Sequence, residues 1–446
     1  MSMFTPAGKS NEGINNIGVT LSANLPGVAP LTSSDINNTA TKPKNHASGI
    51  ASLWAKTDTS TMKRLDPETL EPIGIARQTK LHPSLRGVMS GAHAKSDPTT
   101  GDVFNYNLEF GRRPTYRVFR VNAATGTTDV LATLTADAAY IHSIFLTANH
   151  VVLCVWNGFI GGNGARILWE RNVLDALQPF DATRPARWFV VDRRHDQGVV
   201  ATFESDPFFA FHSINAWEEP NAADPEKIDI VADLSAYADL SVLKRFYYEN
   251  LMSTAPGAPA YHGEKAANAR AALRRYRLPS IPSSSSSATS APPNTSTLTT
   301  PPPQLAIREY LIPTTTSLEL ATINPVYICR PHRYTYGICD RGLSTFADGL
   351  GKFDSVTKTT VFWSVHGQSP GEPIFVRDPH TKEGEEDSED NGVLLTVVLD
   401  GVRGGSYLLC LDAKTMTEVG RAEVGGVVGF GFHGTFVSSG GECTQY

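Results

Sequence analysis

The sequence predicts an all-β fold built from many short strands. Short apolar runs recur along the chain, and turn residues separate them at intervals of roughly 8–12 residues. The turns have the expected chemistry, as in Asp66-Pro67 and in the segment from Asp97 to Gly101. This spacing is typical of a sandwich, a barrel or a propeller with irregular blades.

The strands can be assigned in chain order. Residues 1–48 are polar and are predicted to be irregular, and one domain is expected from residue 49 to residue 446. The predicted strands are 50–55, 62–65, 103–110, 115–122, a pair within 144–156, 190–194, 199–203, 305–311, 326–336, 359–365, 373–377, 392–400, 407–411 and 418–424.

Three segments depart from this pattern. Apolar residues between 228 and 251 follow a helical period in their later part, which predicts an amphipathic helix and a small helical cap. Residues 279–304 are rich in Ser and Pro and are predicted to be a disordered insertion, because such a composition cannot bury a core. The acidic residues between 382 and 391 are interpreted as a solvated turn, since their spacing fits no calcium loop.

Composition is that of an ordinary soluble protein. The 446 residues are 41% hydrophobic and 19% charged, and the net charge of −6 with scattered basic residues argues against a nucleic-acid partner. The five cysteines form no CxxC pair, which favours reduced thiols and a cytoplasmic location. No apolar leader and no long apolar run is visible, although peripheral contact with a membrane through an exposed patch stays open.

Four histidines lie far apart in the sequence, and each is at the edge of a β-type segment. They are His93, His142, His212 and His433. A lone histidine in apolar surroundings is more often a core residue than a ligand, so each one alone is weak evidence. Together they suggest a metal site, because imidazole binds iron, copper, zinc and nickel. Four neutral imidazoles would also leave a divalent ion its full charge.

Five short motifs carry a resemblance to a known family. They are Ser90-Gly91-Ala92-His93, Ile141-His142, Phe211-His212, the segment 371–376 around Glu372, and Phe432-His433-Gly434. On these motifs the chain resembles the carotenoid cleavage oxygenases, which include carotenoid-, apocarotenoid- and stilbene-cleaving enzymes and a retinoid isomerase. The resemblance runs from about residue 50 to residue 436, apart from the Ser/Pro insertion. Within the family, the chain is similar to a fungal subgroup.

The resemblance implies a seven-bladed β-propeller with one non-haem Fe(II) per subunit on its axis. A stretch with which family members begin, with Arg-Asn-Gly-Pro-like and Gly-Asp-Gly segments, is not found here, so an incomplete first blade is expected. The implied metal ligands are His93, His142, His212 and His433. The implied carboxylates behind three of these rings are Asp58, Glu319 and Glu372. Most members have Glu where this chain has Asp58, so either the backbone comes closer there or that hydrogen bond is lost.

The implied activity is oxidative cleavage of a conjugated C=C bond by O2, giving aldehyde or ketone products. Candidate residues for the substrate pocket are Thr57, Phe145, Phe211 and Phe432, with core packing as the alternative for each phenylalanine. Stilbene-cleaving members have Lys where this chain has Thr57, which favours a carotenoid or apocarotenoid. Ser143 is instead typical of a fungal subgroup that includes stilbene cleavers. A retinoid isomerase and an inactive ligand-binding propeller are further alternatives.

Overall fold

The computed structural model describes residues 20–28, 50–283, 302–381 and 389–436. Within these residues, strands form six sheets that are arranged as the blades of a propeller. The first two sheets contain β1 (Thr20–Ala23), β2 (Leu53–Lys56), β3 (Thr61–Leu65) and β4 (Pro72–Arg77), then β5 (Met89–Ser90), β6 (Lys95–Ser96), β7 (Val103–Glu109), β8 (Thr115–Val121) and β9 (Thr128–Thr135).

The third and fourth sheets follow, and a late strand returns to each. They contain β10 (Phe145–Leu146), β11 (His150–Val155), β12 (Ala186–Asp192) and β13 (Val199–Ser205), then β14 (Phe209–Pro220), β15 (Lys227–Tyr237) and β16 (Ala272–Pro282). The returning strands are β17 (Gln304–Leu305), which pairs in parallel with β13, and β18 (Ile307–Leu311), which pairs with β16.

The last two sheets complete the described chain. They contain β19 (Glu319–Thr322), β20 (Tyr334–Cys339), β21 (Gly349–Asp354) and β22 (Thr359–Trp363), then β23 (Gln368–Pro370), β24 (Ile374–Arg377), β25 (Gly392–Asp400), β26 (Gly405–Asp412) and β27 (Glu418–Val424).

Helices are few and short. They are α1 (Ile167–Glu170), α2 (Val173–Ala176), α3 (Ser241–Arg245) and α4 (Tyr248–Leu251), with 3-10 turns at Gln78–Lys80, Gly161–Gly164, Ala258–Tyr261, Gly263–Ala269 and Pro325–Tyr327. Across the described part of the chain, none of these helices has the length and apolar character needed to span a bilayer.

Alternation of side chains explains how the blades stack. In β25, Leu394, Thr396 and Val398 are buried, whereas the residues between them are partly exposed. Successive side chains of a strand point to opposite faces of the sheet, so one apolar face of this blade packs towards its neighbour. The largest core cluster includes Trp156 and Trp188 of the third sheet and its surroundings.

The all-β class and the propeller are confirmed, but the predicted number of seven blades is wrong for the described residues. The early segment contributes β1, and this strand pairs with β2 inside the first sheet instead of building a separate blade. Residues 1–48 are therefore not wholly irregular, although 1–19 and 29–49 lie outside the described residues.

The helix predicted in the later part of 228–251 corresponds to α3 and α4, but the first half of this segment is a strand that the sequence did not indicate. Lys227–Tyr237 form β15, which pairs with β14 on one side and β16 on the other. The β-branched residues Ile228, Ile230 and Val231 suit this central strand, and pairing on both edges overrides the helical period. Helix begins later, in α3 and α4.

Strands also extend into both edges of the predicted insertion at 279–304. β16 continues to Pro282 and β17 begins at Gln304, while residues 284–301 lie outside the described residues, as do 382–388 of the acidic turn. Four described cysteines are free thiols: Cys154, Cys329, Cys339 and Cys410.

The first segments of neighbouring blades meet at the propeller centre. His93 N donates to His142 O at 3.1 Å, and Ser143 Oγ donates to Phe211 O at 2.8 Å. Thr20 Oγ1 donates to Ala92 O at 2.7 Å, which attaches β1 to the same ring of segments. These contacts bring residues that are far apart in the sequence onto one axis.

Candidate metal centre

The four histidines converge at this centre. Their candidate ligand nitrogens all lie within 4.8 Å of one another. His93 Nε2 and His433 Nε2 are 3.1 Å apart. Two nitrogens at right angles around an ion, each about 2.1 Å from it, would be about 3.0 Å apart, and two opposite nitrogens about 4.2 Å apart. The cluster therefore has nearly the dimensions of a metal site.

Two of the rings are held as neutral donors by their surroundings. Burial, together with the neighbouring His433, His142 and His212 imidazoles, places the pKa of His93 well below its ordinary value. Burial also lowers the pKa of His212 despite the adjacent Glu319. His212 Nε2 is buried and has no hydrogen-bond partner among the described residues. A buried polar atom without a partner is costly, so a metal ion fits the chemistry of this donor set.

Asp58 reaches His142 in spite of its short side chain. Asp58 Oδ1 lies 2.6 Å from His142 Nδ1, and Asp58 is fully buried. Tyr140 Oη donates to the other oxygen, Oδ2, at 2.8 Å, and Ala92 N donates to Oδ1 at 3.3 Å. Of the two sequence-based alternatives for this position, the structure therefore has the hydrogen bond in place. With Nδ1 facing the carboxylate, Nε2 faces the cluster.

Glu319 contacts His212 in the same manner. Glu319 Oε2 lies 2.7 Å from His212 Nδ1, and Tyr237 Oη donates to Oε1 at 3.0 Å. The backbone of Leu320 also donates to Oε2. Burial raises the pKa of both Tyr140 and Tyr237, and the adjacent carboxylates raise each further, so both hydroxyls stay protonated and act as donors.

Irregular strand pairing directs two of these side chains towards the centre. The register of β14 against β15 shifts between Ala210 and Ser213, on either side of His212. The register of β19 against β20 shifts between Glu319 and Thr322, where Leu320 has a positive φ of 45°. Bulges of this kind turn a side chain away from the regular alternation and are common next to functional sites.

Glu372 makes the loosest of the three carboxylate contacts. Its Oε1 lies 3.1 Å from His433 Nδ1, and Gly434 N donates to Oε2 at 3.0 Å. His433 follows the exposed segment 425–429, which has no regular strand. His93 differs from the other three rings, because no carboxylate of the described chain contacts it.

An aromatic group lies on one side of the cluster. Phe211 packs edge-on against His142, with ring centroids 5.7 Å apart, and continues into an aromatic group. Phe246, Phe346 and Phe432 complete this group, with centroid distances of 5.4 to 5.8 Å between them. We call Phe211, Phe246, Phe346 and Phe432 the aromatic wall. Of the predicted pocket residues, Phe211 and Phe432 belong to it.

The other two predicted pocket residues lie elsewhere. Phe145 is buried and lines a narrow cavity that also contacts His93, His212 and Lys95. Lys95 Nζ lies 3.5 Å from Ser213 O in that cavity, and burial lowers the pKa of Lys95 to about 8. Thr57 Oγ1 forms a hydrogen bond with Thr59 Oγ1 at 3.1 Å.

Comparison with known proteins agrees with this geometry. Residues 6–438 match the family of retinal pigment epithelial membrane proteins. The chain is 43% identical over 444 residues to a carotenoid dioxygenase of Neurospora crassa, covering 97% of this chain and 70% of that protein. It is 41% identical over 445 residues to a torulene dioxygenase of Fusarium fujikuroi, covering 97% and 73%. The chain belongs to the carotenoid cleavage oxygenase family.

Solved structures support the same fold. A mutant of the Synechocystis apocarotenoid oxygenase superposes with a TM-score of 0.65 at 19% identity, over 89% of this chain and 73% of that protein. The predicted similarity to fungal members of the carotenoid cleavage oxygenases is confirmed by the two relatives above.

Sequence reasoning missed four residues of this centre. Tyr140 stands two positions before His142, so strand alternation could have placed both side chains on one face. Tyr237 and Phe246 fell within a segment predicted as helix, which hid their positions. Phe346 lies after β20 in a loop without a motif, and no local signal indicates it.

Proposed function

We propose that this protein is an iron-dependent dioxygenase that cleaves a conjugated C=C bond of a carotenoid or apocarotenoid into two carbonyl products, with O2 as co-substrate. The observation that carries the proposal is the convergence of four imidazoles within 4.8 Å. The names of the carotenoid and torulene dioxygenases that it resembles support the substrate class.

His93, His142, His212 and His433 would hold one Fe(II) through nitrogens that face the cluster. When bound, this iron supplies the redox chemistry with O2 that splits an electron-rich alkene. All-imidazole ligation leaves the ion its charge and differs from the two-histidine, one-carboxylate set of other non-haem oxygenases. Asp58, Glu319 and Glu372 fix the orientation of three rings and increase their basicity.

The aromatic wall supports an apolar substrate. Phe211 contacts His142 directly, and Phe432 precedes His433, so this group of rings lies beside the histidine cluster. A polyene would bury its length against these rings and exclude water from the site. Thr57 offers no cation to a phenol, which favours a carotenoid over a stilbene.

A surface feature supports peripheral contact between a cytoplasmic protein and a membrane, where carotenoids dissolve. Leu168 and Trp169 of α1 are 70% and 74% exposed. Arg166 and Arg171 flank them, with Arg166 Nε paired to Glu170 Oε1 at 3.3 Å, and Asn163 Nδ2 donates to Arg112 O at 3.3 Å, which brings a further basic loop alongside. An exposed apolar tip whose rim carries more arginines than acidic residues suits an anionic lipid surface.

Product analysis tests the proposed reaction. Iron-loaded protein is incubated separately with torulene, β-carotene, an apocarotenal, resveratrol and a retinyl ester, and O2 uptake is followed. We expect carbonyl products from a carotenoid or apocarotenoid with matching O2 uptake, and none from the His142→Ala variant. Cleavage of resveratrol alone would establish the stilbene alternative, and retinyl-ester turnover without O2 uptake would establish the isomerase.

Vesicle binding tests the membrane contact separately. We expect the protein to sediment with vesicles containing anionic phospholipid and to lose this binding in the Leu168→Ser/Trp169→Ser double variant. Leu343→Ser is a matched control, because Leu343 is 73% exposed at another site. Equal sedimentation of the double variant and the control would contradict the assignment of this surface.

A further inference from the structure

Two hydrogen-bonded series of three side chains, with the same pattern of contacts, lie next to the histidine cluster. In each, a tyrosine hydroxyl donates to one carboxylate oxygen, and the other oxygen lies against a histidine Nδ1. The first series is Tyr140–Asp58–His142, and the second is Tyr237–Glu319–His212. In both, a backbone N–H also donates to the oxygen that contacts the histidine.

The tyrosines are fixed by packing as well as by these bonds. Phe211 lies between them, with its ring centroid 6.2 Å from that of Tyr140 and 5.8 Å from that of Tyr237. Phe209 also contacts both, at 6.2 and 6.3 Å. The hydroxyls therefore have little freedom to follow a carboxylate that rotates.

A carboxylate that is held at one oxygen can still turn about its last carbon–carbon bond. Holding the second oxygen removes that rotation and keeps the first oxygen on the imidazole. The ring is then fixed in the tautomer that directs Nε2 to the cluster, and its plane is fixed as well. Hydrogen bonds to an ionised carboxylate are strong enough for this purpose.

We propose that Tyr140 and Tyr237 are positioning residues that fix His142 and His212 through Asp58 and Glu319, so that two ligands of the metal are rigid before it binds. This inference rests on the proposed function, because it assumes that the histidines bind a metal. It assigns a role to two residues whose hydroxyls donate to the carboxylates behind the histidines.

Cobalt binding tests this role without relying on activity. Co(II) is bound to wild-type protein, Tyr140→Phe and Tyr237→Phe, and its visible spectrum and its release to a chelator are recorded. Loss of an outer hydrogen-bond partner typically weakens metal binding by roughly 10–100-fold. A hydroxyl one bond further out should have a smaller effect, so we expect about 3- to 10-fold faster release and a shifted cobalt spectrum.

Tyr116→Phe is the matched control. Tyr116 is fully buried, and its hydroxyl contacts the backbone of Asp137 and Ala139 and no carboxylate of the site. This variant should bind cobalt like the wild type even if its thermal midpoint falls. Tyr140→Phe and Tyr237→Phe should change the spectrum at temperatures where circular dichroism shows an intact fold.

Two results would overturn the inference, and they are distinguishable. If wild-type protein holds one Co(II) and both phenylalanine variants keep its spectrum and release rate, the tyrosines do not position the ligands. If wild-type protein holds no Co(II), the proposed metal site is wrong and this inference falls with it.

Discussion

On one side of the histidine cluster, His142 and His212 emerge from the well-packed third and fourth blades, and each lies against a carboxylate that a tyrosine also holds. On the other side, His433 follows an exposed segment and contacts Glu372 at a longer distance of 3.1 Å, without a tyrosine among the described residues. The same chemical pair, imidazole and carboxylate, thus occurs twice with a supporting tyrosine and once without one.

This difference indicates which elements of the fold fix the geometry of the histidine cluster. His212, in one of the supported pairs, lies on β14, which pairs with β15, and β15 is itself paired on both edges. β27, the outer strand of the last blade, is exposed along most of its length. We infer that the supported side fixes the geometry of the metal centre and that His433 adapts to it.

The largest effect should come from removing a ligand on each side. His142→Ala should leave no measurable iron, because it also leaves the buried Asp58 carboxylate without its imidazole partner. His433→Ala should retain a fraction of the iron, since Glu372 would keep the hydrogen bond from Gly434 N. Metal content after dialysis, with circular dichroism to check the fold, decides this. If His142→Ala retained more iron than His433→Ala, the supported side would not be the one that fixes the metal centre.

A smaller effect is expected from the carboxylates. Asp58→Asn removes the charge that increases the basicity of His142, and it should weaken metal binding by about 10–100-fold. Glu372→Gln should lie near the lower end of that range, because its contact is longer. Chelator competition measures both.

Glu218→Gln is the control for these carboxylate variants. Glu218 also contacts a histidine, with Oε1 at 2.9 Å from His150 Nδ1, but it lies away from the cluster. It should bind metal like the wild type. Equal affinities for Asp58→Asn and Glu218→Gln would contradict the supporting role of Asp58.

The smallest effect concerns pH and tests the packing of the supported side. Burial lowers the pKa of His332, which contacts Asn215 of β14, to about 4. A folded-state pKa below the unfolded value means that the unfolded chain takes up the proton first, so stability falls as pH drops from about 6.5 towards 4. Between pH 7.5 and 6 the loss should be about 1 kcal/mol.

Urea unfolding of the metal-free protein at both pH values measures this loss. The His332→Asn variant cannot take up the proton and should show a smaller loss than the wild type over the same interval. An identical pH dependence in both proteins would contradict the lowered pKa of His332.

Much of this molecule could be predicted from local sequence. Period-two alternation and turn residues indicated most strands, including the break between β10 and β11, because these signals lie within a few residues. The motifs around the four histidines led to residues that the fold does bring together. Their roles as metal ligands stay a prediction.

The predictions that failed concern features that depend on contacts between residues far apart in the sequence. Whether 228–237 is strand or helix is decided by β14 and β16, which pair with it from elsewhere in the chain. The number of blades depends on where β1 pairs, and the reach of Asp58 depends on Tyr140 and on the backbone around Ala92. Spacing in the sequence reports none of these contacts.

The most direct test of the central claim is X-ray absorption on iron-loaded protein together with its iron content. We expect one Fe(II) per chain with four nitrogen ligands at about 2.1 Å, and loss of that signal in His142→Ala. Iron bound by sulfur ligands, or iron retained unchanged in His142→Ala, would contradict the account.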